Sequence, residues 1–246
     1  MAKRTRRVVI HRPVVWVTGA SSGIGREIAR QFAFLGCEVA LSARSTKNIR
    51  SAVAEIIDLG GRAHAFPCDT ADGKSILRTV HAVKQQLGDI EVLVNNAGIT
   101  VFKTFLCTTI QEFHDVLHTN LEGPIRCIKA VLPAMIRKRR GWIFNILSNA
   151  AIKTFEGSAA YTATKAGLLG LARVLREEVR SSHIKIVNVV PGATETAMWS
   201  KAMRTRHGHR MMKAISIAEA VLSVYQMPDD VVVDEIVLRP MMGDID

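Results

Sequence analysis

Residues 14–36 read VVWVTGASSGIGREIARQFAFLG: an apolar run, a glycine-rich turn, then an amphipathic stretch. Val14–Thr18 is almost wholly β-branched or apolar, as a strand covered on both faces must be. Ile24, Ile28, Phe32 and Leu35 recur at the spacing of one buried helical face, which predicts a helix over 23–35. Gly36 follows as a natural stop. Between strand and helix lies Gly19-x-x-x-Gly23-x-Gly25. Glycines there permit a tight turn and let backbone N–H groups approach a pyrophosphate at the helix N-terminus. Strand, turn and helix stand in the order a dinucleotide site requires. The segment does not match G-x-x-x-x-G-K-[ST], so a P-loop kinase or NTPase is disfavoured.

The same alternation continues outward from this unit. Further strands are expected at Glu38–Ser42, Ala63–Phe66, Glu91–Val94, Trp142–Leu147, Lys185–Val190 and Glu235–Leu238. Helices are expected at 47–59, 73–87, 109–137, 159–181 and 216–226. In 159–181 the apolar face is carried by Leu168, Leu171, Leu175 and Val179. Strands separated by helices imply right-handed βαβ units, hence an α/β fold with a parallel sheet. No linker or composition break divides residues 13–246, which read as a single dinucleotide-binding and catalytic domain behind a basic tail at 1–12.

In an open parallel sheet, ligands bind beyond the carboxyl ends of the strands. Gly19, Arg44, Asp69, Asn95, Ser148 and Pro191 each stand at one such end. The end of strand two carries Ala43 and Arg44 with no carboxylate nearby. An acidic residue there accepts from a ribose 2′-OH, whereas arginine accommodates a 2′-phosphate, so NADP(H) is expected over NAD(H).

Chemistry is suggested by YTATK, which sets Tyr161 and Lys165 one helical turn apart, with Ser148 upstream. A phenol has an ordinary pKa of roughly 10, and a cation on the same helix face favours its ionised form. A serine hydroxyl nearby holds a substrate oxygen within reach of the same proton.

Composition bounds the alternatives. Hydrophobic residues make up 48% of 246, enough for a sizeable core, and no apolar run approaches a membrane span. The basic start lacks the apolar stretch of a secretory signal, so a cytoplasmic protein is expected. Cys37, Cys68, Cys107 and Cys127 are widely spaced and read as reduced structural thiols. Net charge is +11, with Lys3, Arg4, Arg6, Arg7 and Arg12 at the start and RKRR at Arg137 to Arg140. No aromatic residues interleave with these cations as stacking platforms, so nucleic acid is disfavoured as a partner. His114 and His118 form at most half a metal site, and no metal is expected.

Together these motifs resemble the short-chain dehydrogenase/reductase family in its compact single-domain form, from about Val14 to Pro240. TGASSGIG is similar to the family's cofactor loop, which implicates Ser21, Ser22 and Ile24 beside the three glycines. Asp69-Thr70 resembles the adenine-side acid, and NNAG, with Asn95, Ala97 and Gly98, the fourth-strand motif. Pro191, Gly192, Thr194 and Thr196 in PGATET resemble the segment near the nicotinamide. HTNLEG supplies Asn120. The resemblance implies a Rossmann-type doubly wound sheet of seven strands, order 3-2-1-4-5-6-7, helices on both faces, in a homodimer or homotetramer. It implies that Tyr161 exchanges the substrate proton while Lys165 lowers its pKa and binds the nicotinamide ribose. Ser148 would then hold the substrate oxygen, and Asn120 would anchor a proton relay through water.

The expected reaction is hydride transfer between nicotinamide and a ketone or secondary alcohol. A 3-oxoacyl thioester is the alternative substrate, and a catalytically silent nucleotide sensor the alternative function. Selectivity is expected from Thr100–Phe105, Ala150–Phe155 and the methionine-rich segment after Thr196.

Overall fold

The computed structural model describes residues 11–245. Its first half alternates β1 (Val14–Thr18), α1 (Gly23–Phe34), β2 (Glu38–Ser42), α2 (Thr46–Asp58), β3 (Ala63–Ala65), α3 (Gly73–Gln86) and β4 (Ile90–Asn95). Then come α4 (Ile110–Leu117), α5 (Gly123–Lys138), β5 (Gly141–Ile146), α6 (Ala159–Val179) and β6 (Ile184–Pro191). The chain finishes with β7 (Thr194–Glu195), α7 (Lys201–His207), β8 (Met212–Lys213), α8 (Ala214–Tyr225) and β9 (Glu235–Leu238). Seven strands form one parallel sheet in the order β3-β2-β1-β4-β5-β6-β9. This is the expected topology. The seventh sheet strand is the ninth in the chain because β7 and β8 pair apart from the sheet as a short parallel ladder.

Successive strand residues point to opposite faces, and both faces are covered. Val15 and Val17 join Val39, Leu41, Val92 and Val94 beneath Ile28 and Phe32 of α1 and Ile217 and Val221 of α8. Val14 and Trp16 face the other way, toward Ile76 of α3, Val131 and Met135 of α5, and Ala172 of α6. Every residue of β1 is therefore buried. Each fully buried aliphatic or Phe side chain contributes about 1.5–3 kcal/mol from removal of apolar surface from water.

One expected helix is not continuous. The segment 109–137 is α4 and α5 joined by a π turn at His118–Glu122, closed by the Gly123 N–H on the His118 carbonyl. The reason is local: Pro124 has no N–H to give Asn120, whose carbonyl is its partner in a regular helix. A π turn absorbs the mismatch, and such turns collect at functional positions.

The basic clusters are partly matched. Lys138 Nζ lies 2.9 Å from Asp89, and Arg140 Nε 3.3 Å from Glu91. Arg12 is exposed, while Lys3, Arg4, Arg6 and Arg7 of the expected tail lie outside the described residues. All four cysteines are free; three are buried, but Cys107 is exposed and takes no structural part. Among the described residues no helix is long and apolar enough to cross a membrane.

Candidate active site

The carboxyl ends of the strands open onto a cleft of about 1110 Å³. On its β1 side the chain turns at Gly19 (φ 63°) and Gly23 (φ 58°), left-handed conformations that favour glycine. A Cβ at Gly19 would sit 2.8 Å from Ala97 Cα, and one at Gly25 2.3 Å from Asn96 Nδ2. The turn is thus pressed against the loop after β4. Ser22 precedes α1 in extended conformation, and its side chain caps nothing. The first N–H groups of α1 have no capping side chain, which suits a pyrophosphate at the helix N-terminus.

Gly19, Ser21, Ser22, Gly23, Ile24, Arg44, Asp69, Thr70, Ala97, Gly98, Pro191, Gly192, Thr194 and Thr196 all line this cleft. Gly25 and Asn95 stand behind its wall. Gly25 is buried under Asn96, and Asn95 donates to Asn145 Oδ1 at 3.0 Å within the sheet. Asn145 in turn donates to Asn188 Oδ1 at 3.3 Å, forming a buried amide file across β4, β5 and β6.

Sequence reasoning passed over Asn96. Its amide donates to the carbonyls of Thr18 and Gly19, both at 3.0 Å, and so pins the glycine turn. Thr18 Oγ1 returns the tie by accepting from the N–H groups of Asn96 and Ala97. Ser45 and Asn48, at the N-terminus of α2 beside exposed Arg44, were also missed. A serine three residues before an asparagine at a helix start was the available signal.

Ser148, Tyr161 and Lys165 meet on the opposite wall. Ser148 follows β5 in extended conformation and accepts from the Ala150 N–H at 3.2 Å. Tyr161 lies in the first turn of α6 with Lys165 one turn on, and both side chains are buried. Lys165 Nζ donates to the Ile146 carbonyl at 2.8 Å and stands 5.6 Å from the centre of the Tyr161 ring. Burial draws the ammonium down to about 8. Burial also pushes the Tyr161 phenol above its ordinary value, and only the Ser148 hydroxyl draws it back. Removal from water thus works against ionisation of the phenol, with Ser148 beside it and the Lys165 ammonium over its ring.

Asn120 is fully buried behind the same wall, on the π turn. Its amide accepts from the Ile99 N–H and donates to the Ile99 carbonyl, each at 2.8 Å. A Cβ on Gly98 would lie 3.4 Å from Asn120 Oδ1 and 3.8 Å from Lys165 Nζ, which places Gly98 where these two groups converge. His114 and His118 stack at 6.1 Å, and among the described residues no metal-binding group of three ligands exists.

Residues 13–207 match the short chain dehydrogenase family. The chain belongs to that family. Sepiapterin reductase of Chlorobaculum tepidum is 34% identical over 94% of this chain and 98% of its own length. A 3-oxoacyl-[acyl-carrier-protein] reductase of Staphylococcus epidermidis is 41% identical over 72% of each chain. Among solved structures, a metagenomic short-chain oxidoreductase in complex with NADP is 33% identical with a TM-score of 0.83, covering 93% of this chain and 97% of its own. This short-chain dehydrogenase is thus an oxidoreductase of the class that acts on C=O and CH–OH groups.

Proposed function

We propose that this chain is an NADP(H)-dependent carbonyl reductase, with Tyr161 as general acid and base and Lys165, Ser148 and Asn120 assisting. One observation carries the reading: buried Tyr161 and Lys165, with half-buried Ser148 beside them, face the glycine turn across a single cleft. The dinucleotide, when bound, supplies or receives the hydride. The protein must bring a proton to the carbonyl oxygen at the same place.

Ser148 holds the carbonyl oxygen, and Tyr161 gives it the proton as charge develops there. Lys165 has three donors and spends one on Ile146, leaving two for the nicotinamide ribose and for the phenol's charge. Asn120 anchors a water that returns a proton through Lys165. Gly19, Ser21, Ser22, Gly23, Ile24 and the α1 N-terminus cradle the pyrophosphate. Gly25, behind them, keeps the turn closed. Asp69 and Thr70 hold the adenine side. Asn95, Ala97 and Gly98 shape the opposite edge, and Pro191, Gly192, Thr194 and Thr196 meet the nicotinamide.

NADP(H) is preferred because Arg44, Ser45 and Asn48 present a cation and a helix N-terminus where a 2′-phosphate falls. The NADP complex of the metagenomic relative supports this. Arg44→Asp is expected to raise the KM for NADPH by about tenfold or more, the loss of one charge-assisted contact, while NADH improves. Steady-state kinetics with both coenzymes against ketones, keto acids and acyl thioesters tests it; an unaltered coenzyme preference refutes the assignment. The staphylococcal relative favours a 3-oxoacyl thioester as the second substrate reading. A homodimer or homotetramer through α4, α5 and α6 is supported by the exposed apolar side chains Leu117, Ile136 and Val174 on those helices.

A further inference from the structure

The substrate half of the cleft carries an arrangement of rings that hydride transfer itself does not require. Phe102, after β4, and Trp199, between β7 and α7, lie nearly parallel, with centroids 6.1 Å apart and planes 20° apart. The Phe102 centroid is 6.5 Å from that of Tyr161. All three side chains line the cleft. Phe102 nevertheless remains 54% exposed, so its outer surface is open to a ligand.

Because Phe102 adjoins Tyr161, a ring attached to a carbonyl held at the phenol has this pair within reach. Parallel aromatic faces reward a flat π-system far more than a puckered or flexible chain. Met198 and Met203 line the same wall, and thioethers pack well on ring edges. The charged groups there largely engage one another: Asp244 accepts from Lys153 Nζ at 2.8 Å and Asn149 Nδ2 at 3.0 Å, and pairs with Arg239, while Glu156 stands exposed at the rim. Beside Tyr161 the wall is made of rings and thioethers, so it selects there by shape and π-surface.

We propose that Phe102 and Trp199 determine specificity, stacking on substrates whose carbonyl is attached to a flat aromatic or heteroaromatic ring. This inference rests on the carbonyl-reductase reading of the same cleft.

Acetophenone and cyclohexyl methyl ketone share a skeleton and differ in whether the ring is flat. With NADPH, the wild-type protein is expected to prefer acetophenone. Trp199→Leu and Phe102→Leu are each expected to lower the ratio of kcat/KM values by about tenfold, mainly through KM for acetophenone. Titrating the cofactor-free protein with acetophenone should saturably quench tryptophan emission, and the quenching should vanish in Trp199→Leu. Variant ratios equal to that of the wild type, or quenching that survives the loss of Trp199, overturn the proposal. If the wild type reduces neither ketone, the quenching titration alone decides the stacking claim; only failure across the wider panel of ketones, keto acids and acyl thioesters sinks the reductase reading.

Discussion

Lys165 carries the buried charge of the candidate site. It is an ammonium removed from water on α6, held by one carbonyl and by proximity to a phenol. Its folded pKa of about 8 lies below the roughly 10.4 of a solvated lysine. Across that window Lys165 is more protonated in the unfolded chain than in the folded one, so this group by itself makes stability rise with pH. The thiols of Cys37, Cys68 and Cys127, pushed up by burial, act in the opposite direction. The Lys165 contribution is on the order of 3 kcal/mol, and it is read as the difference between the wild type and Lys165→Met in urea denaturation at a series of pH values. The variant is expected to lose stability relative to the wild type as pH rises through the window; a difference that stays constant with pH overturns this. That Tyr161, Lys165 and Ser148 form a candidate group was legible from their spacing taken together with the family resemblance. Their electrostatics were not, because burial depends on packing from β5 and the loop after β4, which no local spacing encodes.

Strand positions emerged within a residue or two because β-branched runs buried on both faces leave little ambiguity. The π turn between α4 and α5 was missed, although Pro124 announces it: an apolar period continues through 109–137, but the backbone ladder cannot. That turn sets Asn120 against Ile99, with both polar groups of one peptide position satisfied by one amide. Asn120→Ala takes the partner from the N–H and C=O of part-buried Ile99, at a total cost of about 1–3 kcal/mol. A lower denaturation midpoint at an unchanged slope is the expected result. A midpoint equal to that of the wild type would mean that Asn120 does not hold the loop. The β7–β8 ladder and α7 were also illegible, since two-residue strands and a seven-residue helix carry too little pattern.

The assembled molecule gathers residues from the first strand to the last few positions around one cleft. Asp244 and Ile245 line it, and Asp244 is bound to Asn149 and Lys153 on the segment between β5 and α6. Ending the chain after Pro240 should therefore raise the KM for ketone while leaving the Kd for NADPH nearly unchanged, as kinetics and fluorescence titration can show. An unchanged ketone KM would remove the C-terminal segment from the substrate site. Sequence pattern gave the sheet order through its family resemblance, yet it could not pair Phe102 with Trp199, because the encounter depends on two loops meeting over Tyr161. The account depends most on Tyr161 as the proton donor beside the coenzyme. Single-turnover oxidation of bound NADPH by a ketone, in the wild type and in Tyr161→Phe, tests this directly. The variant should bind NADPH with nearly wild-type affinity and fail to oxidise it; oxidation at a rate near that of the wild type would contradict the account.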